Sequence, residues 1–542
     1  MMIKKITGIL TIIFMSSSVL MAQESAEVEQ LLDNERYESA EAILEKRITT
    51  EGIMPDINYL LVKTYLEQDK VNEVKDFITK YKLSDNPDAD PLDRITYARY
   101  LLQKGDRAAA NVIFNSILEN KKNRKNPLLL MAMAEVNIAE DMGDPAQALE
   151  WLKMAGDKDD NNPSINILEG LAYRKLSDAS KAFLAYQQAL KKDKNNVKAH
   201  YLLGKIFTAQ KNQEVYLEHF MKAYKIDSTY APVLEALYDH YYNIDVRIAR
   251  KYLEKFIANT DHTIQHDYRM TDMYYLTGDY DRAITGALKL IDTEKEKAQP
   301  RLYKLMAYSA MKSKDTLKAL EYANQYFSKE QPVKLIAADF ELKAILTEAQ
   351  PGAEKGAIDY YSIAGEMDTL VANKIKYATA IIKLTKKADM ISKQAYWLGK
   401  LYQWKEKTNN IDLFNWGLAH YTAAEYLQSD SVFTLYTERY PEDIFGHYWR
   451  AQANAAIDTA LAQGLAVPHY IKVTEIGEKD KEKNKKMLLK AYGYLGGYEA
   501  NIRKDYVQSL MWFEKFLELD DENADAKRYA ETLRKWVDEQ KK

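Results

Sequence analysis

The chain repeats itself at a fixed interval, and this limits its fold more than any other feature. Residues 163–196 read PSINILEGLAYRKLSDASKAFLAYQQALKKDKNN, and residues 197–230 read VKAHYLLGKIFTAQKNQEVYLEHFMKAYKIDSTY. At an offset of 34, Gly170 falls on Gly204, Tyr173 on Phe207, Tyr186 on Phe220 and Ala189 on Ala223. A third unit starts at Ala231, with Leu237 and Tyr241 in the same register. A period of this size marks an array of supersecondary units, each burying one face against the unit before it.

The second half of each unit carries a small residue, an aromatic four positions on, and a small residue three beyond that. Ala182, Tyr186 and Ala189 form one copy, and Ala357, Tyr361 and Ala364 another. Looser copies are Ala110, Phe114 and Ile117; Ala148, Leu152 and Ala155; and Ser509, Phe513 and Phe516. Positions four and three apart share a helix face, so the small residues admit a neighbouring helix and the aromatic fills the space beside it. With only 20 Gly and 12 Pro in 542 residues, helices are expected and a sandwich or barrel is not.

This pattern resembles the tetratricopeptide repeat (TPR), a 34-residue helix-turn-helix unit. "LLGKIF" (202–207) is similar to its first-helix signature, and "GDYDRA" (278–283) and "GDRAAA" (105–110) to its inter-helix turn. The resemblance is best over 91–327, with degenerate copies at "NERYESAEAIL" (34–44) and "QDKVNEVKDFI" (68–78). "WLGKLY" (397–402) is placed in a second helix and "NWGLAHY" (415–421) in a first. The expected fold is all-α: an α-solenoid, a superhelical array of about fourteen hairpins, capped by a closing helix at 525–539. The expected divisions are a leader at 1–22, degenerate hairpins at 23–160, the best-matching units at 161–330, degenerate hairpins at 331–522, and the cap at 523–542.

Residues 1–22 have the composition of a secretory signal: basic "MMIKK", an apolar stretch broken by Ser16, Ser17 and Ser18, and a cleavage point after Ala22. That apolar stretch is shorter than the roughly 20 residues a spanning helix needs. The chain has no cysteine, so packing rather than disulfides must hold it together, and no thiol near Ala22 can carry a lipid. Loss of Lys4 and Lys5 with the leader takes the net charge from −4 to −6. That balance gives no footprint for nucleic acid and no basic face for a membrane.

No nucleophile elbow, phosphate loop or dinucleotide fingerprint occurs, and no catalytic residue is assigned. "GYLGGYE" (493–499) reads as a helix break. His262 and His266 read as surface histidines; a metal there would need Asp261 or Asp267 as a further ligand, and neither metal nor cofactor is expected. Tyrosine is abundant, at 40 residues, mostly for packing, with some left to line a groove. The resemblance implies a concave face built from first helices. Register then places Arg174, Tyr201, Lys205, Tyr242, Tyr268, Arg301, Lys304 and Tyr308 on that face, where Glu235, Asp239 and Asp272 interrupt the basic stripe. In the stretch LTGDYDRAITGALKL (276–290), Asp279 is expected to cap the second helix.

The functional expectation is an exported, non-catalytic interaction scaffold of the cell envelope, periplasmic in a Gram-negative cell. It would hold a protein or peptide in its groove during assembly, secretion or transport, as a subunit of an envelope complex. Alternatives are a glycan-binding solenoid and the regulatory part of an envelope enzyme. Secretion, or peripheral association with the outer membrane, is the alternative location.

Overall fold

The computed structural model describes residues 25–540, so the signal sequence expected at 1–22 lies outside the described residues. The described residues contain helices, turns and no strand. They fall into two compact units that divide between Ala298 and Gln299.

The first unit runs through eight hairpins. They are α1 (25–33) with α2 (Tyr37–Glu51), α3 (Pro55–Glu67) with α4 (Val71–Tyr81), α5 (Pro91–Gln103) with α6 (Arg107–Glu119), and α7 (Pro127–Ala139) with α8 (Pro145–Gly156). There follow α9 (Pro163–Lys175) with α10 (Ala179–Lys192), α11 (Val197–Ala209) with α12 (Gln213–Ile226), α13 (Ala231–Tyr242) with α14 (Val246–Asn259), and α15 (Ile264–Leu276) with α16 (Tyr280–Glu294). The second unit has six: α17 (Arg301–Lys312) with α18 (Thr316–Lys329), α19 (Ala337–Glu348) with α20 (Glu354–Met367), and α21 (Val371–Lys387) with α22 (Ile391–Trp404). The rest are α23 (Asn410–Thr422) with α24 (Tyr426–Arg439), α25 (Ile444–Ile457) with α26 (Val467–Gly477), and α27 (Lys481–Tyr498) with α28 (Tyr506–Leu519). A last helix, α29 (Ala524–Gln540), buries Ala526, Ala530 and Leu533 and closes the second unit. "WLGKLY" sits in α22, a second helix, and "NWGLAHY" in α23, a first helix, as their register requires.

Each hairpin turns on a few backbone atoms. At Leu176–Asp178 the Asp178 amide donates back to the Tyr173 carbonyl at 2.8 Å, while the Asp178 carboxylate accepts from the Lys181 amide at 2.9 Å. One residue, Ser177 at φ 61°, takes the left-handed conformation between them. The same turn recurs at Gly278 (φ 83°), where the Asp279 amide reaches Tyr274 O at 2.8 Å. Asp279 occupies the cap position of α16 but makes no side-chain cap bond. Its carboxylate turns to Arg250 at 3.7 Å and Arg282 at 3.6 Å, because two cations compete with the amides. Pro91, Pro127 and Pro163 between hairpins, and Pro145 within one, open their helices, each preceded by an Asp or Asn whose side chain caps it.

In four of the hairpins, a glycine of the first helix lies against an aromatic ring of the second. Gly170 faces Tyr186, Gly204 faces Phe220 and Gly417 faces Phe433, at a constant spacing of sixteen residues. Gly496 faces Phe513 at seventeen, and the π-helical turn Glu499–Arg503 absorbs the extra residue. The segment "GYLGGYE" is therefore no helix break. α27 runs through all three of its glycines, because Gly496 is needed for close approach rather than for a turn.

The histidines serve packing. His266 is buried, against the expectation of a surface position; its Nδ1 accepts from the Thr263 amide at 3.3 Å and caps α15. Asp267 pairs with His262 at 3.2 Å, and among the described residues no cluster of three His, Asp or Glu side chains could hold a metal ion. His200 and His219 join α11 to α12 through their Nδ1 atoms, 3.2 Å apart. His200 Nε2 lies 3.3 Å from the Lys194 carbonyl, so it carries the proton; His200 Nδ1 then accepts and His219 Nδ1 donates. A second proton on His200 would break this contact, and one on His219 would lie in a half-buried site. Burial, then the charge of His200, pushes His219 down to about 4.

Two predictions follow from the packing. Alanine is worth about 1 kcal/mol more than glycine inside a helix. A Cβ on Gly204 would nonetheless stand 2.3 Å from the Phe220 ring, which is itself buried. Gly204→Ala should therefore lower the stability of the first unit by about 1–3 kcal/mol. Gly156→Ala, with nothing within 4 Å of its Cβ, should not lower it. Equal melting temperatures for the two variants would refute the close-approach account. The second concerns pH. An unfolded histidine binds its proton near the ordinary value of 6.5, whereas folded His219 does not until about pH 4. Acid thus favours the unfolded chain, and melting temperature should fall as pH drops from about 6.5 to 5. His219→Gln should flatten that slope, and an unchanged slope would count against it.

Candidate functional site

The first unit curls until its first hairpin meets its sixth, seventh and eighth. Lys198, at the start of α11, pairs with Asp33 of α1 at 2.7 Å. Asn34, buried in the α1–α2 turn, accepts from the Ala231 amide at the start of α13 at 2.9 Å. Asp261, in the loop between α14 and α15, caps α2 from 222 residues away. Its carboxylate accepts from the Glu38 amide at 2.7 Å, the Ser39 amide at 3.1 Å and the Ser39 hydroxyl at 2.6 Å. Arg36, which precedes α2 and offers no cap of its own, lies 3.7 Å from the same carboxylate. A helix start accumulates partial positive charge and unsatisfied amides, and Asp261 satisfies both needs.

Beneath the first hairpin lies a pocket of about 570 Å³. Its apolar wall comes from Leu32 of α1, Met131 and Ile138 of α7, and Ile167, Leu168 and Leu171 of α9. Its polar side carries five carboxylates, Glu29, Asp33, Glu35, Glu67 and Glu135, against Lys63 and Lys198. Glu135 is bound by Lys63 and by the Tyr59 hydroxyl at 2.8 Å. Burial pulls its carboxyl upward, but Lys63 and Arg99 outweigh that and hold it down at about 2. Asp33 has Lys198. Among the described residues, the carboxylates of Glu29, Glu35 and Glu67 pair with no side chain. Burial raises Glu29 against the pull of Lys63, with Glu135 and Asp33 adding to the rise; burial and Glu235 raise Glu35.

The structure brings some of the expected groove residues together. Arg174 and Lys205 are exposed on α9 and α11, and Tyr201 is half-buried between them, packed on Phe220 and Tyr230 at 6.1 and 5.9 Å. Burial, with Glu35 and Glu235, pushes Tyr201 up to about 12. The charge of Glu35 in the first hairpin thus reaches Tyr201. Tyr242 is exposed, its ring 5.7 Å from Tyr238. Tyr268 is only 2% exposed and bonds Glu294 through its hydroxyl; it forms part of the core and offers no groove surface. Arg301, Lys304 and Tyr308 stand on α17 in the second unit. Lys304 is held by buried Asp339 at 2.6 Å.

The acidic pocket residues and Asp261 carry no sequence motif. The one local signal is Glu29 and Asp33, like charges four apart on α1, which an isolated helix would not favour.

These hairpins define a helical repeat protein whose first unit folds onto its own inner face. Residues 170–211 match the family model described as a TPR repeat, and the chain carries tetratricopeptide repeats. No curated protein matches it. Among solved structures, it is similar to the C-terminal part of a TPR repeat-containing protein from Cytophaga hutchinsonii, at 27% identity and TM-score 0.29, over 48% of this chain and 98% of that one. A tetratricopeptide repeat protein from Parabacteroides merdae is similar at 18% identity and TM-score 0.28, again over 48% and 98%. PilW, a widely conserved type IV pilus biogenesis factor, is similar at 19% identity and TM-score 0.28, over 38% and 92%.

The Asp261 cap yields a prediction. Asp261→Ala leaves two amides and a hydroxyl without their acceptor, at a cost of about 1–2 kcal/mol. Hydrogen exchange across α1 and α2 should accelerate, with Asp261→Asn intermediate. Unchanged exchange in 34–45 would show that the cap does not hold the hairpin.

Proposed function

We propose that this protein is an exported, non-catalytic scaffold that binds a partner protein or peptide along the first-helix face of its repeats. The observation that carries the reading is the TPR match at 170–211, set in an array of hairpins of the same build. Repeat arrays expose long surfaces and suit extended partners. Arg174, Tyr201 and Lys205 offer cationic and aromatic contact on that face, the side-chain mixture that hot spots favour. Tyr242 extends the proposed contact within the first unit and Tyr268 supports it from the core, while Arg301, Lys304 and Tyr308 on α17 offer a separate proposed contact in the second unit. Among the described residues, no helix is long and apolar enough to cross a membrane. The leader composition at 1–22 supports export to the envelope, with the periplasm as destination.

Affinity capture from envelope extracts tests this reading. Tyr201→Ala would disturb the packing with Phe220 and Tyr230, so the informative variant is Arg174→Glu with Lys205→Glu, both exposed. A partner recovered by the wild-type chain should be lost by about tenfold or more in the variant. Capture that survives both substitutions would overturn the site, and a chain found only in the cytoplasm would overturn export.

A further inference from the structure

We propose that the pocket beneath the first hairpin binds an alkylammonium ligand, a cation carried on a methylene chain, as in linear polyamines and lysine side chains. The inference goes beyond the scaffold reading and is tested on the full chain alone.

Three observations meet in this pocket. Lys63 and Lys198 are already paired with Glu135 and Asp33, so Glu29, Glu35 and Glu67 line one opening without an ion pair of their own among the described residues. Tyr230, a residue only 6% exposed, lines the same space. A phenol oxygen on a cavity wall can accept from an ammonium N–H. Third, the opposite wall, from Met131 to Leu171, is apolar. Carboxylates facing a hydrocarbon wall suit a ligand whose charges are separated by methylenes.

Other cations fit less well. A divalent metal needs oxygen ligands converging within about 2.0–2.6 Å, and no cluster among the described residues could provide them. An apolar peptide side chain would leave the carboxylates facing one another. The raised carboxyls of Glu29 and Glu35 show that they are charged only at a cost, which a bound ammonium would reverse.

Isothermal titration with spermidine tests the proposal. The comparison ligands are a tri-lysine peptide, uncharged 1,4-butanediol and magnesium ion. Spermidine or the peptide should bind with one site per chain and weaken as salt rises to about 150 mM; the diol and magnesium should not compete. Glu35→Gln with Glu67→Gln should weaken binding by about tenfold or more, and Tyr230→Phe by a smaller factor. The Gln variant removes like-charge repulsion, so its melting temperature should not fall. Should it fall, Glu29→Gln alone repeats the test. Tighter binding of spermidine assigns the pocket to a free polyamine, and tighter binding of the peptide assigns it to a partner's lysine; either supports the chemistry. No heat from spermidine or the peptide overturns it. So does equal weakening by Glu321→Gln with Glu354→Gln in the second unit, which would mark the binding as diffuse charge attraction.

Discussion

The contact on which the architecture depends is a helix backbone pressed against an aromatic face. Where Gly170, Gly204 or Gly417 meets its ring, the two helices of a hairpin approach to a distance that no side chain permits. The ring then covers the bare backbone and carries the apolar surface on to the next hairpin, as Tyr186 does within the cluster that includes Ala199 and Leu203. Burial of this kind contributes roughly 25 cal/mol per Å² of apolar surface, so each hairpin gains chiefly from its neighbours. Helix propensity alone would disfavour the glycines. Their presence in mid-helix records that close packing outweighs propensity there.

That contact also explains what could be read from the sequence. The 34-residue period and the small–aromatic–small pattern of the second helices are local, so the hairpins and their order were legible from residue pattern alone. The stretch at 493–499 was misread for a physical reason. A glycine that breaks a helix and a glycine that admits a ring look alike until the partner ring is known, and Phe513 sits one residue off the usual spacing because of the π turn. Tyr268 was misplaced for a similar reason. Register assigned it to the groove, but its hydroxyl reaches Glu294 on the following helix and draws the ring inward.

The candidate site was harder to read because it is long-range. Asp261 and the start of α2 are 222 residues apart, and no period in the chain relates a carboxylate in one loop to the amides of a distant helix. Asp261 stood in the sequence as a metal-ligand candidate beside His262 and His266. In the fold its charge is spent on backbone amides, and His266 is spent on capping its own helix. Both are the same chemistry, an acceptor offered to unsatisfied donors, and only the curl of the first unit decides which donors are near.

The two kinds of contact differ in how readily they can change. The hairpin stack is held by apolar surfaces that must separate together, which makes it stiff. The closure of the first hairpin on the later ones adds a few links, charged at Asp33 and Asp261 and neutral at Asn34, none worth more than about 3 kcal/mol. The Asp33–Lys198 link borders a pocket whose carboxylates repel one another, so the closure works against a local excess of negative charge. A cation in the pocket would remove that repulsion and strengthen the closure without touching the stack. Ligand binding and the seating of the first hairpin are then thermodynamically linked: whatever stabilises one must stabilise the other by the same free energy. The inner face that displays Arg174, Tyr201 and Lys205 shares Glu35 with that pocket, so its electrostatics would respond to the pocket's occupancy.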